Sequence, residues 1–224
     1  MKRNYTVIFA AALALIVLCA FWGCDSSDDD DGPSLPHAEE ASLGTGEITL
    51  ATGEQVYEAD GATHYSPSNT GKTIRTHNDI GSSYVPLVSA ASSISDSGIL
   101  TLKLPAYSYW AESDNGGRIE EEGLTADPPD VLTVHIWDFV VESSSDAFYR
   151  AVVEKRKGTD SVTYLCANKD ARIWGEVEDD GIRFSVNLIL KQGWNSVIVS
   201  DSGSRTIVSG SPGSGYRWIA EEED

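Results

Sequence analysis

Two hydrophobic patterns divide the chain. From about Val7 to Trp22 apolar residues follow one another almost without interruption, directly after Lys2 and Arg3. From Glu47 onward they alternate with polar residues instead, and a period of two is the mark of strands, whose successive side chains point to opposite faces. The clearest case is Ile182, Phe184, Val186, Leu188 and Leu190, interleaved with Arg183, Ser185, Asn187, Ile189 and Lys191. This segment predicts a strand with one buried face. It pairs with Arg172 to Glu178 through Asp179-Asp180-Gly181, because Asp-Gly supplies the positive φ that a tight hairpin requires.

Further strands are predicted at Ile48 to Ala51, Gln55 to Ala59, Gly98 to Leu104, Val131 to Val141, Ala147 to Lys155, Val162 to Cys166, Gly193 to Ser200, Arg205 to Ser209 and Tyr216 to Ile219. They are short, rich in β-branched and aromatic residues, and broken by Gly, Asp, Ser and Pro at intervals of roughly 8 to 12 residues. Ala90 to Ser95 has room for one turn of helix at most. The predicted fold is all-β, an antiparallel β-sandwich of immunoglobulin-like or related type, occupying residues 47–224. Two long loops, Gly61 to Ser83 and Tyr109 to Asp130, interrupt it. Loops of that length are binding elements or disordered segments. The second is also a candidate boundary, near residues 110–130, between two small β-modules.

The apolar N-terminal run ends at Phe21-Trp22-Gly23-Cys24, the layout of a bacterial lipoprotein signal peptide. Residues 1–23 are then the signal, and Cys24 becomes the lipidated first residue of the mature chain. Gly23 fits the cleavage pattern, whereas Phe21 and Trp22 stand where a branched aliphatic and a small residue are usual. The competing reading is an uncleaved signal anchor, since a run of about 16 to 18 apolar residues approaches the length that spans a bilayer. Either way the remainder lies outside the cytoplasm, tethered to a membrane. Each buried methylene of an acyl chain contributes about 0.8 kcal/mol, so two or three chains hold firmly where one does not. Residues 24–46 follow as a disordered acidic spacer with Asp28 to Asp31, Gly32, Pro33, Pro36, Glu39 and Glu40, too poor in apolar surface to fold and extended by self-repulsion. Acidic residues just after the cysteine resemble surface-export signals of some Bacteroidetes lipoproteins. Asp25 beside it resembles the inner-membrane retention signal of enteric bacteria, so the two likenesses point to opposite destinations.

Charge narrows the partners. The chain carries 16 Lys+Arg against 35 Asp+Glu, and loss of Lys2 and Arg3 with the signal leaves 14 against 35, a formal net charge of −21. Nucleic acid and bare anionic headgroups are poor partners for such a surface, because both are bound through phosphate neutralisation by Lys and Arg. Basic proteins, neutral glycans and divalent cations remain. Of the three cysteines, Cys19 leaves with the signal and Cys24 takes the lipid, so Cys166 has no partner for an intramolecular disulfide. It shares strand parity with Val162 and Tyr164 and is expected in the core, without the Cys-x-x-Cys spacing of a redox or metal site.

Catalytic chemistry has little to work with. His37 falls in the spacer, His64 and His77 in the first long loop, and His135 on a strand with the parity of Trp137 and Phe139, which marks it as a core or interface residue. His64 and His77 lack the spacing of a compact zinc motif. Gly210 to Gly215 is glycine-rich but has neither the lysine nor the following helix of a phosphate loop, and predicts a flexible hairpin loop. No catalytic residue is assigned, and no cofactor is expected. Weak, irregular calcium binding is the exception, from the oxygen-rich stretches Glu112 to Gly116 and Glu176 to Asp180, neither of which matches a twelve-residue calcium loop. The candidate ligand-stacking residues are Tyr107, Tyr109 and Trp110 at the mouth of the second long loop, beside Asp114, Asn115 and Arg118. Exposed aromatics stack on sugar faces while amides and carboxylates bond hydroxyls. The alternative role for this cluster is a strand end that caps the core. In the turn Gly193-Trp194-Asn195, by contrast, glycine permits the tight bend, asparagine bonds nearby backbone, and tryptophan re-enters the core as an apolar plug.

Ala171-Arg172-Ile173-Trp174-Gly175 followed by Leu188-Ile189-Leu190-Lys191-Gln192-Gly193-Trp194-Asn195 resembles a strand, hairpin and Leu-Lys-x-Gly-Trp-Asn turn found in β-rich secreted lipoproteins of spirochaetes and related bacteria. The resemblance covers about a quarter of the chain and does not extend before Pro129. It implies an envelope lipoprotein without assigned activity, and brings no catalytic residues. The expectation is therefore a noncatalytic, lipid-anchored envelope protein whose β-domain meets a protein partner or supports envelope structure, or alternatively a carbohydrate-binding module.

Overall fold

The computed structural model describes residues 35–66, 72–77, 89, 91–108, 117–118, 123–136, 138–143, 150–179, 182–201 and 205–222. Cys24, the signal segment, Tyr109, Trp110 and the Glu112 to Gly116 loop lie outside them. The described part is nearly all β. Its strands are β1 (Ser42–Gly44), β2 (Ile48–Glu58), β3 (Lys72–His77), β4 (Ser93–Ile94), β5 (Ile99–Leu104), β6 (Gly117–Arg118), β7 (Leu124–Asp127) and β8 (Leu132–Ile136). Then come β9 (Asp138–Ser143), β10 (Arg150–Lys157), β11 (Asp160–Ala167), β12 (Ala171–Asp179), β13 (Ile182–Leu190), β14 (Gly193–Ser200), β15 (Thr206–Ser209) and β16 (Arg217–Glu222).

All sixteen join one hydrogen-bonded sheet with the order β4-β5-β2-β16-β10-β11-β14-β15-β13-β12-β7. β1 adds to β14, β9 to β10, β3 to β9, β8 to β11 and β6 to β8. Pairing is antiparallel except for β13 with β15 and β16 with β2. The parallel pairs arise where the chain crosses between distant parts of the sheet. Gly210 to Gly215 is one such crossing, because the β15 and β16 it joins are not neighbours, and the hairpin expected there is absent.

Two cores lie on opposite faces of β11 and β14. Val162, Tyr164 and Cys166 of β11 and Trp194 of β14 pack into the first core, with Val56, Leu100, Leu102, Leu104, Phe139, Val153 and Trp218. Leu165, Ala167, Val197 and Val199 from the same two strands pack into the second, with Ile173, Phe184, Val186, Leu188, Leu190 and Ile207. Both faces being buried, β11 is buried without a break over Val162–Ala167 and shows no clean alternation. The predicted β12–β13 hairpin forms with Asp179 opposite Ile182, and the alternating residues of β13 face the second core as their parity requires.

β3 falls inside the expected loop Gly61 to Ser83, β6 and β7 inside the expected loop Tyr109 to Asp130, and β4 where a turn of helix was expected at most; besides these, three boundaries differ from the sequence pattern. The two segments at Ile48 to Ala51 and Gln55 to Ala59 are one strand, β2, carrying irregularities between Thr49 and Ala51 and between Thr52 and Glu54; a bulge resets parity and makes one strand read as two. Conversely, Val131 to Val141 is two strands. β10 and β11 pair only near their shared turn, from Lys155 opposite Val162 to Lys157 opposite Asp160, and then diverge. β8 runs along β11 and β9 along β10, so the chain changes partner between β8 and β9 to fill the gap. The buried positions accordingly shift from Val134 and Ile136 to Phe139 and Val141. His135 thus lies on the opposite face from Phe139, contrary to their shared parity in sequence.

The third boundary is the N-terminus of the folded part, which precedes Glu47. Ala41 is buried, β1 pairs with β14, and Glu39 N donates to Ser209 O at 2.9 Å. Asn187 Nδ2 donates to Pro36 O at 2.8 Å, and Lys191 Nζ lies 3.5 Å from the Glu40 carboxylate. Residues from Pro36 onward are therefore a strap laid along β13, β14 and β15, and not spacer. Short polar segments such as this have no periodicity to read, and their partners are far away in sequence.

Candidate functional site

The residues singled out by sequence have different fates. Tyr107 is half-buried against the first core; its hydroxyl donates to Asn168 O at 3.3 Å and its backbone N–H to Thr45 O at 2.8 Å. These contacts make it a stitch between the strap, β5 and the β11–β12 turn. Tyr109, Trp110, Asp114 and Asn115 lie outside the described residues, and of Arg118 only the β6 backbone is described.

The Gly193-Trp194-Asn195 turn is built as its residue types suggest. Trp194 has no accessible surface, and its indole N–H donates to Pro105 O at 2.8 Å. Asn195 accepts from Lys191 N at 2.9 Å and donates to Lys191 O at 2.8 Å and Gly193 O at 2.9 Å, closing the turn on itself. Gly193 has φ of 100°, and a Cβ there would collide with Gly44 O of the strap. The glycine is required twice, by the backbone and by the close approach.

The buried titratable groups are held neutral. His135 sits opposite Leu165, with Nε2 2.9 Å from Thr163 Oγ1. Thr163 gives its only hydroxyl proton to Ile136 O, so a neutral His135 donates from Nε2 to Thr163. Burial pushes the imidazole down to about 3. Burial likewise pushes the Cys166 thiol up to about 12, and raises the Tyr164 phenol with help from the Glu54 charge. At neutral pH the thiol and phenol stay protonated, and the depressed imidazole is too weakly basic for efficient general-base work.

An arrangement the sequence did not single out lies on the outer face of β7, β12 and β13, away from the second core. Directly opposite residues in antiparallel pairs share a face. Thr125 and Asn187 flank Trp174, Asp127 and Ile189 flank Arg172, and Ser185 stands opposite Glu176. The neighbours of opposite parity, Ile173 and Val177, fill the core beneath. The Arg172 guanidinium lies 5.4 Å from the Trp174 ring centroid, and its Nε and Nη2 each lie 3.4 Å from Asn187 Oδ1. Asn187 is 7% exposed and is itself fixed by the strap through Pro36 O. Arg183 completes the patch at 3.5 Å from Glu176 and 3.6 Å from Glu178. Those ion pairs occupy carboxylates expected to bind calcium, and no group of three or more His, Cys, Asp or Glu is gathered for a metal among the described residues.

What places β7 here is a pair of glycines. Glu176 N donates to Gly123 O at 3.2 Å, and a Cβ on Gly175, whose φ is 137°, would strike that oxygen. β7 was read as loop because four residues, Leu124-Thr125-Ala126-Asp127, are too few for periodicity to register; the bounding Gly123 and Pro128 were the available signal. Comparison with family models, with curated proteins and with solved structures found no match.

Proposed function

We propose that this chain is a noncatalytic envelope lipoprotein, anchored through Cys24 and presenting a β-domain for binding or for envelope structure. The observation that carries the reading is the strap. Described structure begins at Leu35 and its long-range contacts at Pro36, so ten residues, 25–34, separate Cys24 from it along the sequence. Ten residues span at most about 36 Å when fully extended, so the domain is kept beside the bilayer and the end where the strap enters lies nearest it. Strongly acidic spacer residues favour that extension.

The noncatalytic part rests on the buried titratable groups, which are committed to packing and held neutral. We read the fold as a layered β-sandwich, supported by two cores back to back on β11 and β14 and by strands that cross between layers at corners. The turn at Lys191 to Asn195 lies in the stretch that resembles the spirochaete lipoproteins, and its self-contained hydrogen bonding supports a folding role for that stretch. The test is metabolic labelling with radioactive palmitate: label enters the wild type and is absent from Cys24→Ser, which also loses membrane attachment. Equal labelling of the two would remove the anchor, and with it this function.

A further inference from the structure

Three tryptophans fall among the described residues, and two of them are spent on the fold. Trp194 donates its indole N–H to Pro105 O, and Trp218, 1% exposed, donates to Glu54 Oε2 at 3.1 Å. Buried indoles ordinarily find such partners. Trp174 belongs to neither core, and no acceptor for its indole N–H is placed among the described residues. It stands half-buried on an outer sheet face. Around it Arg172 is pre-oriented by Asn187, which the strap fixes in turn. Of the guanidinium's five N–H donors two are engaged there, leaving three. Thr125 and Asp127 are exposed on β7, and Ser185 and Glu176 are partly accessible on the other side.

We propose that the β7–β12–β13 face binds a neutral glycan, with a hexopyranose stacked on Trp174 and its hydroxyls bonded by Arg172, Thr125, Asp127 and Glu176. The occupant follows from charge and size. Arg172 and Arg183 stand among Asp127, Glu176 and Glu178, so the face is nearly neutral on a chain whose acids outnumber its bases 35 to 16. Anionic polymers gain nothing there and are repelled by the surroundings. Three strands about 4.8 Å apart, over four paired residues of about 3.3 Å, make a patch of about 200 Å². A stable protein partner or second copy needs about 800 Å² on each side, whereas one or two sugar rings cover the patch. The strand spacing itself matches the width of a pyranose, which places donors and acceptors at both edges of a ring centred on the indole.

This inference rests on the noncatalytic binding reading but not on the lipid anchor, and calorimetry separates the two. The purified full chain in detergent is titrated with cellohexaose, chitohexaose and an oligogalacturonate of the same length. At least one neutral hexasaccharide binds and the galacturonate does not. Trp174→Ala weakens binding by about tenfold or more, the scale expected for loss of an aromatic stack with its buried area, and Trp174→Phe retains most of it. The proposal is overturned if neither neutral sugar binds, if Trp174→Ala binds as well as wild type, or if sedimentation shows self-association that Trp174→Ala abolishes, which would assign the face to a second copy. Lost sugar binding with Cys24-dependent palmitate labelling intact removes only the glycan; lost labelling with binding intact removes only the anchor.

Discussion

Trp194 and Trp174 each adjoin a glycine at the end or in the body of a strand, yet they occupy opposite kinds of environment. Around Trp194 the polar groups are paired within the protein: its indole with Pro105, Asn195 with Lys191 and Gly193, Ser196 Oγ with Gly210 O at 2.7 Å. Around Trp174 the indole N–H and part of the Arg172 guanidinium are left over. Burying an unpaired donor costs about 1–3 kcal/mol, so interior tryptophans are selected with partners and outer ones need none. The difference separates a folding residue from a display residue when the amino acid is the same.

The largest effect should come from the interior side. Trp194→Ala removes a fully buried indole from the first core and strands Pro105 O, and should destabilise by about 3–5 kcal/mol in denaturant titration. That is a large part of a domain's typical margin of about 5–15 kcal/mol. An unchanged midpoint would break the comparison, because both tryptophans would then be surface residues.

Next in size is the strap. Truncation to residue 35 should leave the unfolding midpoint unchanged, whereas truncation to Glu47 removes Ala41, β1, and the partners of Asn187, Ser196, Ser209 and Tyr107. At about 1 kcal/mol for each buried hydrogen bond lost, the cost should be about 2–4 kcal/mol. Equal midpoints for the two truncated chains would return residues 36–46 to the spacer. Asn187 is also the support of Arg172, so the longer truncation should weaken the Trp174 face without touching it.

How far the sequence reached follows the same division. Strands buried on one face, such as β13, announce themselves by alternation, and β14 was bounded correctly from Gly193 to Ser200. β11 was found from its Val, Tyr and Leu content, but its two-sided burial, which creates two cores, is visible only once β14 and its partners are placed. Elements fixed by one partner strand distant in sequence escaped: β1 by β14, β7 by β12, and the change of partner between β8 and β9 by the divergence of β10 from β11. The Trp174 face was overlooked for a related reason. Arg172, Trp174, Thr125 and Asn187 come from three strands, and their meeting depends on a register that no local pattern states.

His135 offers a smaller and pH-selective test of the interior. Its folded-state pKa of about 3 lies below the ordinary 6.5, so the unfolded chain takes up the proton first. Stability from this group is complete above about pH 6.5 and is lost as pH falls toward 3, at up to about 1.4 kcal/mol per pH unit. The carboxylates held low by hydrogen bonds, Asp170 through Gln192 N and Lys191, Asp60 through Thr63 and Ala62, and Glu47 through Lys103 and Ser89, add the same sign of effect below about pH 5. Between about pH 6.5 and 5 the slope should therefore belong to His135 and flatten in His135→Gln. A slope that persists unchanged in the variant would mean that this imidazole is open to solvent.

The smallest expected change in stability is at Trp174, and its smallness is the point. Trp174→Ala removes a side chain outside both cores, whose indole N–H donates to no described group, so the midpoint should move by less than about 1 kcal/mol, near the range of ordinary surface substitutions. Some loss remains, because the Arg172 guanidinium gives up its cation–π contact, worth about 0.5–1 kcal/mol at an exposed site. Trp194→Ala and Trp174→Ala measured side by side in the same denaturant series then form a direct ratio of folding cost to display. If Trp174→Ala proves as costly as Trp194→Ala, the outer face is structural, the strap and Arg172 exist to hold it down, and sugar binding must be sought elsewhere. If its cost is small while hexasaccharide affinity collapses, the same indole has been kept on the surface against its own solubility, and binding is the reason.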